Sequence, residues 1–127
     1  MVDKFMGDGM LAVFGAPTAS TDHADRALSA VRRMREGMAR FPELAVGIGV
    51  HSGEIVVGCL GSGIRMEFTI LGDTVNTASR LESATKEHGV PVLVSDTTRL
   101  RATAPLRELF EIELRGRAEK IRVWTVP

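Results

Sequence analysis

Two runs of helical periodicity, set among short extended runs that break at glycines, constrain this chain more than any other feature. Ala24, Ala27, Leu28, Val31, Met34, Met38 and Phe41 recur at helical spacing, which lines them along one face. Arg26, Arg32, Arg33 and Glu36 fall between them and are most simply a solvated face. Ser20, Thr21 or Asp22 is expected as the N-cap, and Pro42 as the end of the helix. A second helix is expected from about Asp73 to His88, closed by Gly89 in the C′ position. Its expected buried stripe is Val75, Ala78, Leu81 and Ala84.

The remaining segments read as strands. Residues 1–14 form two short strands broken at Gly7-Asp8-Gly9, a hairpin signal. Gly15 to Thr21 is a loop, and Leu44 to Val50 with Glu54 to Leu60 reads as a second hairpin around His51-Ser52-Gly53. Gly61 to Arg65 is a loop, Met66 to Leu71 extended, Val90 to Val94 a strand and Asp96 to Leu100 a short helix. Leu106 to Leu114 and Ile121 to Val126 close the chain around Gly116. The order ββαββαββ with antiparallel hairpins predicts an α+β fold, a single domain over 1–127.

Charge and composition narrow the function. Sixteen basic residues balance sixteen acidic ones, which removes any global electrostatic case for nucleic acid or an anionic membrane as partner. The apolar runs are far shorter than a membrane span, and the start does not read as a signal peptide. A lone cysteine, Cys59, forms no internal disulfide, fits a reducing cytoplasm and sits in an apolar run as a small core residue.

On the second helix, Asn76 and Arg80 stand four apart, opposite the apolar stripe. An amide and a guanidinium near a helix start suit a phosphate oxygen, although each taken singly reads as an ordinary polar helix face. Asp8, between two glycines, reads singly as a turn aspartate. Lys4 reads singly as an edge-strand lysine.

In combination these residues carry a resemblance. The run Lys4–Gly15 (KFMGDGMLAVFG), the run Gly47–Gly58 (GIGVHSGEIVVG) and the run Phe68–Glu82 (FTILGDTVNTASRLE) resemble, in order, three blocks of the class III adenylate and guanylate cyclases. The resemblance implies a ferredoxin-like catalytic fold and a phosphorus–oxygen lyase, an adenylate cyclase making cyclic AMP and pyrophosphate from ATP. By position, Asp8 corresponds to one of two aspartates that bind paired Mg²⁺ or Mn²⁺ ions. Asn76 and Arg80 correspond to the pair that stabilises the transition state, the asparagine orienting the ribose and the arginine meeting charge on the phosphate. Lys4 and Thr69 correspond to the purine-selecting pair, and Arg115 stands where the family places a triphosphate-binding lysine. The pair of Lys4 and Thr69 suits adenine, which offers an acceptor at N1 and a donor at N6. Threonine at 69 is similar to the bicarbonate-responsive subgroup. Family sites lie across a homodimer or heterodimer interface, with metal aspartates from one chain and the other groups from its partner.

The family's opening strand and helices, with the first metal aspartate, have no counterpart here, and Asp3 is no substitute because it precedes Lys4 on the strand already assigned. The fold is therefore expected to lack its first, central strand, and the isolated chain to bind metal weakly and turn over little or no ATP. A noncatalytic cyclase-like module that binds a nucleotide or a partner is the alternative. A diguanylate cyclase is a poor fit, because the turn Met6-Gly7-Asp8-Gly9-Met10 has no acidic GGDEF-type signature.

Overall fold

The structure is a computed structural model describing residues 2–16, 19–60, 67–71, 73–114 and 120–127. Its elements are β1 (Val2–Met6), β2 (Gly9–Ala12), α1 (His23–Met38), β3 (Ile48–Val50), β4 (Val56–Leu60), β5 (Glu67–Leu71), α2 (Asp73–His88), β6 (Val92–Ser95), α3 (Asp96–Arg101), β7 (Arg107–Glu113) and β8 (Lys120–Thr125). The expected loop at 61–65, Pro17 and the closing Gly116 lie outside the described residues. No helix among the described residues is long and apolar enough to cross a membrane.

The body of the domain is a four-stranded sheet in the order β3-β6-β8-β7. All four residues of β6 are buried, and their alternation serves both faces. Val92 and Val94 pack with Leu28 and Val31 of α1. Leu93 packs on the other face with Leu81 and Ala84 of α2, Ile112 and Val123. One strand therefore joins two half-cores, each closed by one helix. Across the top, α3 is fastened to β8: Trp124 Nε1 donates to Asp96 Oδ1 at 2.9 Å, and the Arg99 guanidinium lies 4.6 Å from the Trp124 ring.

The helix α1 ends at Met38, short of the expected Phe41. Beyond it the Phe41 N–H donates to the Met38 carbonyl at 2.9 Å, an i→i+3 tightening that closes the helix before Pro42. Phe41 is consequently exposed rather than part of the stripe. Asp22 is the N-cap residue but caps no N–H, since its carboxylate accepts from Ser20 Oγ at 2.7 Å. Asp25 makes the stronger tie. Its two oxygens accept from the N–H groups of Thr103 and Ala104 and from Thr103 Oγ1 at 2.8–3.1 Å, joining α1 to the segment after α3.

The expected hairpin of β3 with β4 does not form. β3 pairs parallel with β6, in the register Ile48↔Val92, Gly49↔Leu93 and Val50↔Val94, while β4 pairs antiparallel with β5. A parallel pair needs a crossover, and α2 supplies it. Two glycines make the close packing possible. A Cβ on Gly49 would stand 2.4 Å from the Glu82 nitrogen and 2.6 Å from the Ala78 oxygen, and one on Gly47 would overlap Thr85 Oγ1. The strand thus lies backbone to backbone on α2. That contact turns α2 from its expected orientation: the buried residues are Thr77, Leu81, Ala84 and Thr85, with Val75 and Ala78 only partly covered. The end of α2 is as expected, with Gly89 at a φ of +64°, a conformation that glycine adopts without strain.

Candidate active site

The residues singled out in the sequence stand on two hairpins and one helix start. The first hairpin pairs Lys4 with Leu11, Phe5 with Met10 and Met6 with Gly9. Gly7, at a φ of +60°, occupies the first central position of the two-residue loop, where a type II′ turn needs glycine. Asp8 is the second central residue, so the turn holds an exposed carboxylate at the tip of the hairpin. The second hairpin pairs Thr69 with Gly58.

The two hairpins meet, since β5 lies against β1 and also against α2. The strands bearing Lys4 and Thr69 are therefore neighbours, although both side chains lie outside the described part. Arg115 lies outside the described residues altogether. Asn76 is exposed in the first turns of α2, and Arg80 follows one turn later, half-buried. Their spacing on the helix places them on one face, where the helix N-terminus adds a favourable field for anionic groups.

Thr77 adjoins Asn76 and is fully buried, with its Oγ1 lacking a hydrogen-bond partner among the described residues. Nothing in the periodicity marked it, because a threonine beside the apolar stripe reads as polar. His51, Ser52 and Gly53 were expected to be the turn of a hairpin; instead His51 and Ser52 are hydrogen-bonded to residues more than forty positions away. Such partners carry no sequence signal.

No group of three or more His, Cys, Asp or Glu side chains among the described residues is placed to hold a metal ion. Two divalent cations need several carboxylate oxygens, and Asp8 offers only two. The described residues by themselves therefore do not fit a paired-metal site.

Comparison with known proteins gives these elements a family. The Adenylate and Guanylate cyclase catalytic domain matches residues 3–126. Adenylate cyclase 1 of Rhizobium meliloti (strain 1021) is 33% identical over 134 aligned residues, which cover 97% of this chain and 20% of that protein. The crystal structure of the guanylyl cyclase Cya2 superposes with a TM-score of 0.79 at 31% identity, covering all of this chain and 71% of that one. That of the adenylyl cyclase CyaB from P. aeruginosa gives 0.81 at 28% identity, covering 99% and 70%. The fold and the match define a class III nucleotide cyclase catalytic domain, and the chain belongs to that family. It spans about a fifth to a quarter of the length of the curated relatives it matches.

Proposed function

We propose that this domain is an adenylate cyclase unit: residues 1–127 act as one half of a dimer that converts ATP to 3′,5′-cyclic AMP and pyrophosphate. The ribose 3′-oxygen forms a bond to the α-phosphorus, the bond from that phosphorus to the pyrophosphate oxygen breaks, and the hydroxyl proton is released. The observation carrying this reading is that β5 lies against both β1 and α2, the three elements on which Lys4, Thr69, Asn76 and Arg80 stand.

In this reading Asn76 orients the ribose, and Arg80 opposes the negative charge that grows on the phosphate oxygens. Lys4 and Thr69 select adenine through its N1 and N6, and Arg115 binds the triphosphate. Class III cyclases work with two divalent cations, Mg²⁺ or Mn²⁺ in this proposal. Asp8 contributes one carboxylate toward them and needs further ligands beside it. Family members that are guanylyl cyclases, such as Cya2, make GTP the competing substrate, and the pair Lys4 and Thr69 argues for ATP.

The test is complementation. The chain is mixed with a complete cyclase domain whose own Asn and Arg positions are disabled, and cyclic nucleotide is measured with ATP and with GTP. Activity with ATP is expected, since this chain brings Asn76 and Arg80 to the partner's metal-binding half. Asp8→Asn should change that activity little, because in the mixed dimer the metal carboxylates come from the other chain. A folded heterodimer that binds ATP without turnover would mark a noncatalytic module. Preference for GTP would overturn the substrate assignment, and loss of activity in Asp8→Asn would overturn the division of labour.

A further inference from the structure

The segment between β3 and β4 is gripped from two sides. His51 Nδ1 lies 2.8 Å from Ser95 Oγ and 3.2 Å from Thr97 Oγ1. Thr97 Oγ1 donates to the Ser52 carbonyl at 3.1 Å, and Ser52 Oγ lies 2.9 Å from Thr98 Oγ1. From the opposite side, Thr74 Oγ1 in the first turn of α2 donates to the Glu54 carbonyl at 2.6 Å. Gly53 sits flush on the same threonine, where a Cβ would come within 2.5 Å of Thr74 Oγ1.

The hydroxyl hydrogen of Thr97 is directed at the Ser52 carbonyl, so its oxygen faces Ser95 and His51 as an acceptor. Ser95 is buried and also accepts the Thr98 N–H as the cap of α3. Because α3 is itself fastened to β8 through Trp124, Asp96 and Arg99, the grip transmits the position of the sheet body to the loop. Thr74 then transmits it to the start of α2. Connecting segments ordinarily run over the surface with few such ties.

We propose that residues 51–54 are a positioning clasp, pinned by Thr74 and Thr97, that sets the start of α2 and with it Asn76 and Arg80 against the body of the domain. What the positioned residues do rests on the cyclase reading above; the clasp rests on the hydrogen bonds. Asn76 lies two positions and Arg80 six positions beyond Thr74. A displacement of about 1 Å at reacting groups costs on the order of a hundredfold in rate, so loosening this first turn lowers turnover more than binding.

The experiment uses the chain in the mixed dimer described above, with Thr74→Val and Thr97→Val in this chain, each beside its Thr→Ser control. Amide exchange is measured over residues 56–60 and 73–77, with the thermal midpoint, and kcat and KM with ATP. Each valine variant should speed exchange in those segments about tenfold, leave the midpoint within a few degrees, and lower kcat about tenfold with KM held within about twofold. The serine variants should restore all of these values. Unchanged exchange in both valine variants overturns the clasp whatever the activity. Exchange that rises uniformly with a collapse of the midpoint overturns it too, since that is a general loss of stability. If exchange responds as expected while the mixed dimer holding the unsubstituted chain turns over no ATP, the clasp stands and the cyclase reading falls.

Discussion

The four-stranded body and the two hairpins are built on different principles. Among the described residues, every buried apolar side chain lies on α1, α2, β6, β8 or at β7 and its end. In the body a residue's position follows from what it packs against: Leu93 faces α2 because Leu81 and Ala84 are there, and Val94 faces α1 because Leu28 is there. The hairpins β1–β2 and β4–β5 each form a separate two-stranded sheet. Phe5 and Met10, cross-strand partners on the first, are both exposed. Two-stranded hairpins are marginal by themselves. The elements that carry Lys4, Asp8 and Thr69 therefore depend on neighbours for their placement, whereas the body carries its own. The start of α2 belongs to both regions: its inner face is core, and its outer face bears Asn76 and Arg80.

The largest expected effect tests the body. Gly49→Ala puts a methyl group into the α2 backbone, where no flexible side chain can yield. A loss of about 3–5 kcal/mol is expected, or failure to fold, measured by urea unfolding. A variant of normal stability would show that β3 and α2 are less tightly joined than their geometry implies. Next comes the outer face of the same helix. Arg80→Ala in the mixed dimer should lower turnover a hundredfold or more, equivalent to about 2.7 kcal/mol in the transition state, with KM changed much less and the thermal midpoint nearly unaltered. A matching fall in stability would place Arg80 in the body instead of the site.

A smaller effect concerns the tie between α1 and the segment after α3. The Ala104 N–H, followed by the hydroxyl and N–H of Thr103, holds the Asp25 carboxyl below the usual aspartate value. A depressed folded-state pKa contributes stability above the unfolded-state value of about 3.9, and that contribution is lost as pH falls through the folded value. Asp25→Asn should therefore lower the thermal midpoint at neutral pH, and the gap from the unsubstituted protein should close below about pH 4. A gap independent of pH would mean that the hydrogen bonds act without the charge. The smallest effect has the opposite sign. Thr77→Val replaces a buried hydroxyl with no hydrogen-bond partner among the described residues by a methyl group of similar shape, and should stabilise the domain by up to about 1 kcal/mol. Destabilisation would reveal a partner for that hydroxyl.

The same contrast runs through what was legible beforehand. Local features were read with little error: the Gly7-Asp8-Gly9 turn, the span of α2, Gly89 as its terminator, and the helix α3 all depend on a few adjacent residues. Asn76 and Arg80 were legible as a pair because helical spacing alone places them on one face. The family itself followed from three motif blocks, and the match over residues 3–126 agrees with it. Pairing was a different matter. Adjacent extended runs around His51-Ser52-Gly53 suggested a hairpin, since a tight turn is the shortest way to join two strands. Nothing local says that Gly47 and Gly49 exist to admit Ala78, Glu82 and Thr85 of a helix much later in the chain.

From the residues alone came the element types, most of their limits, the α+β class, and the chemical character of Lys4, Asp8, Thr69, Asn76 and Arg80, because φ/ψ preference, periodicity and side-chain chemistry act within one turn or one strand. Only the tertiary structure decided that β3 pairs parallel with β6, that α2 buries Thr77 and Thr85 in place of Val75 and Ala78, and that residues 51–54 are gripped by Thr74 and Thr97. Those outcomes depend on close packing between segments twenty to forty-six positions apart, where the shape of one surface selects the face of another, and that selection has no local record in the chain.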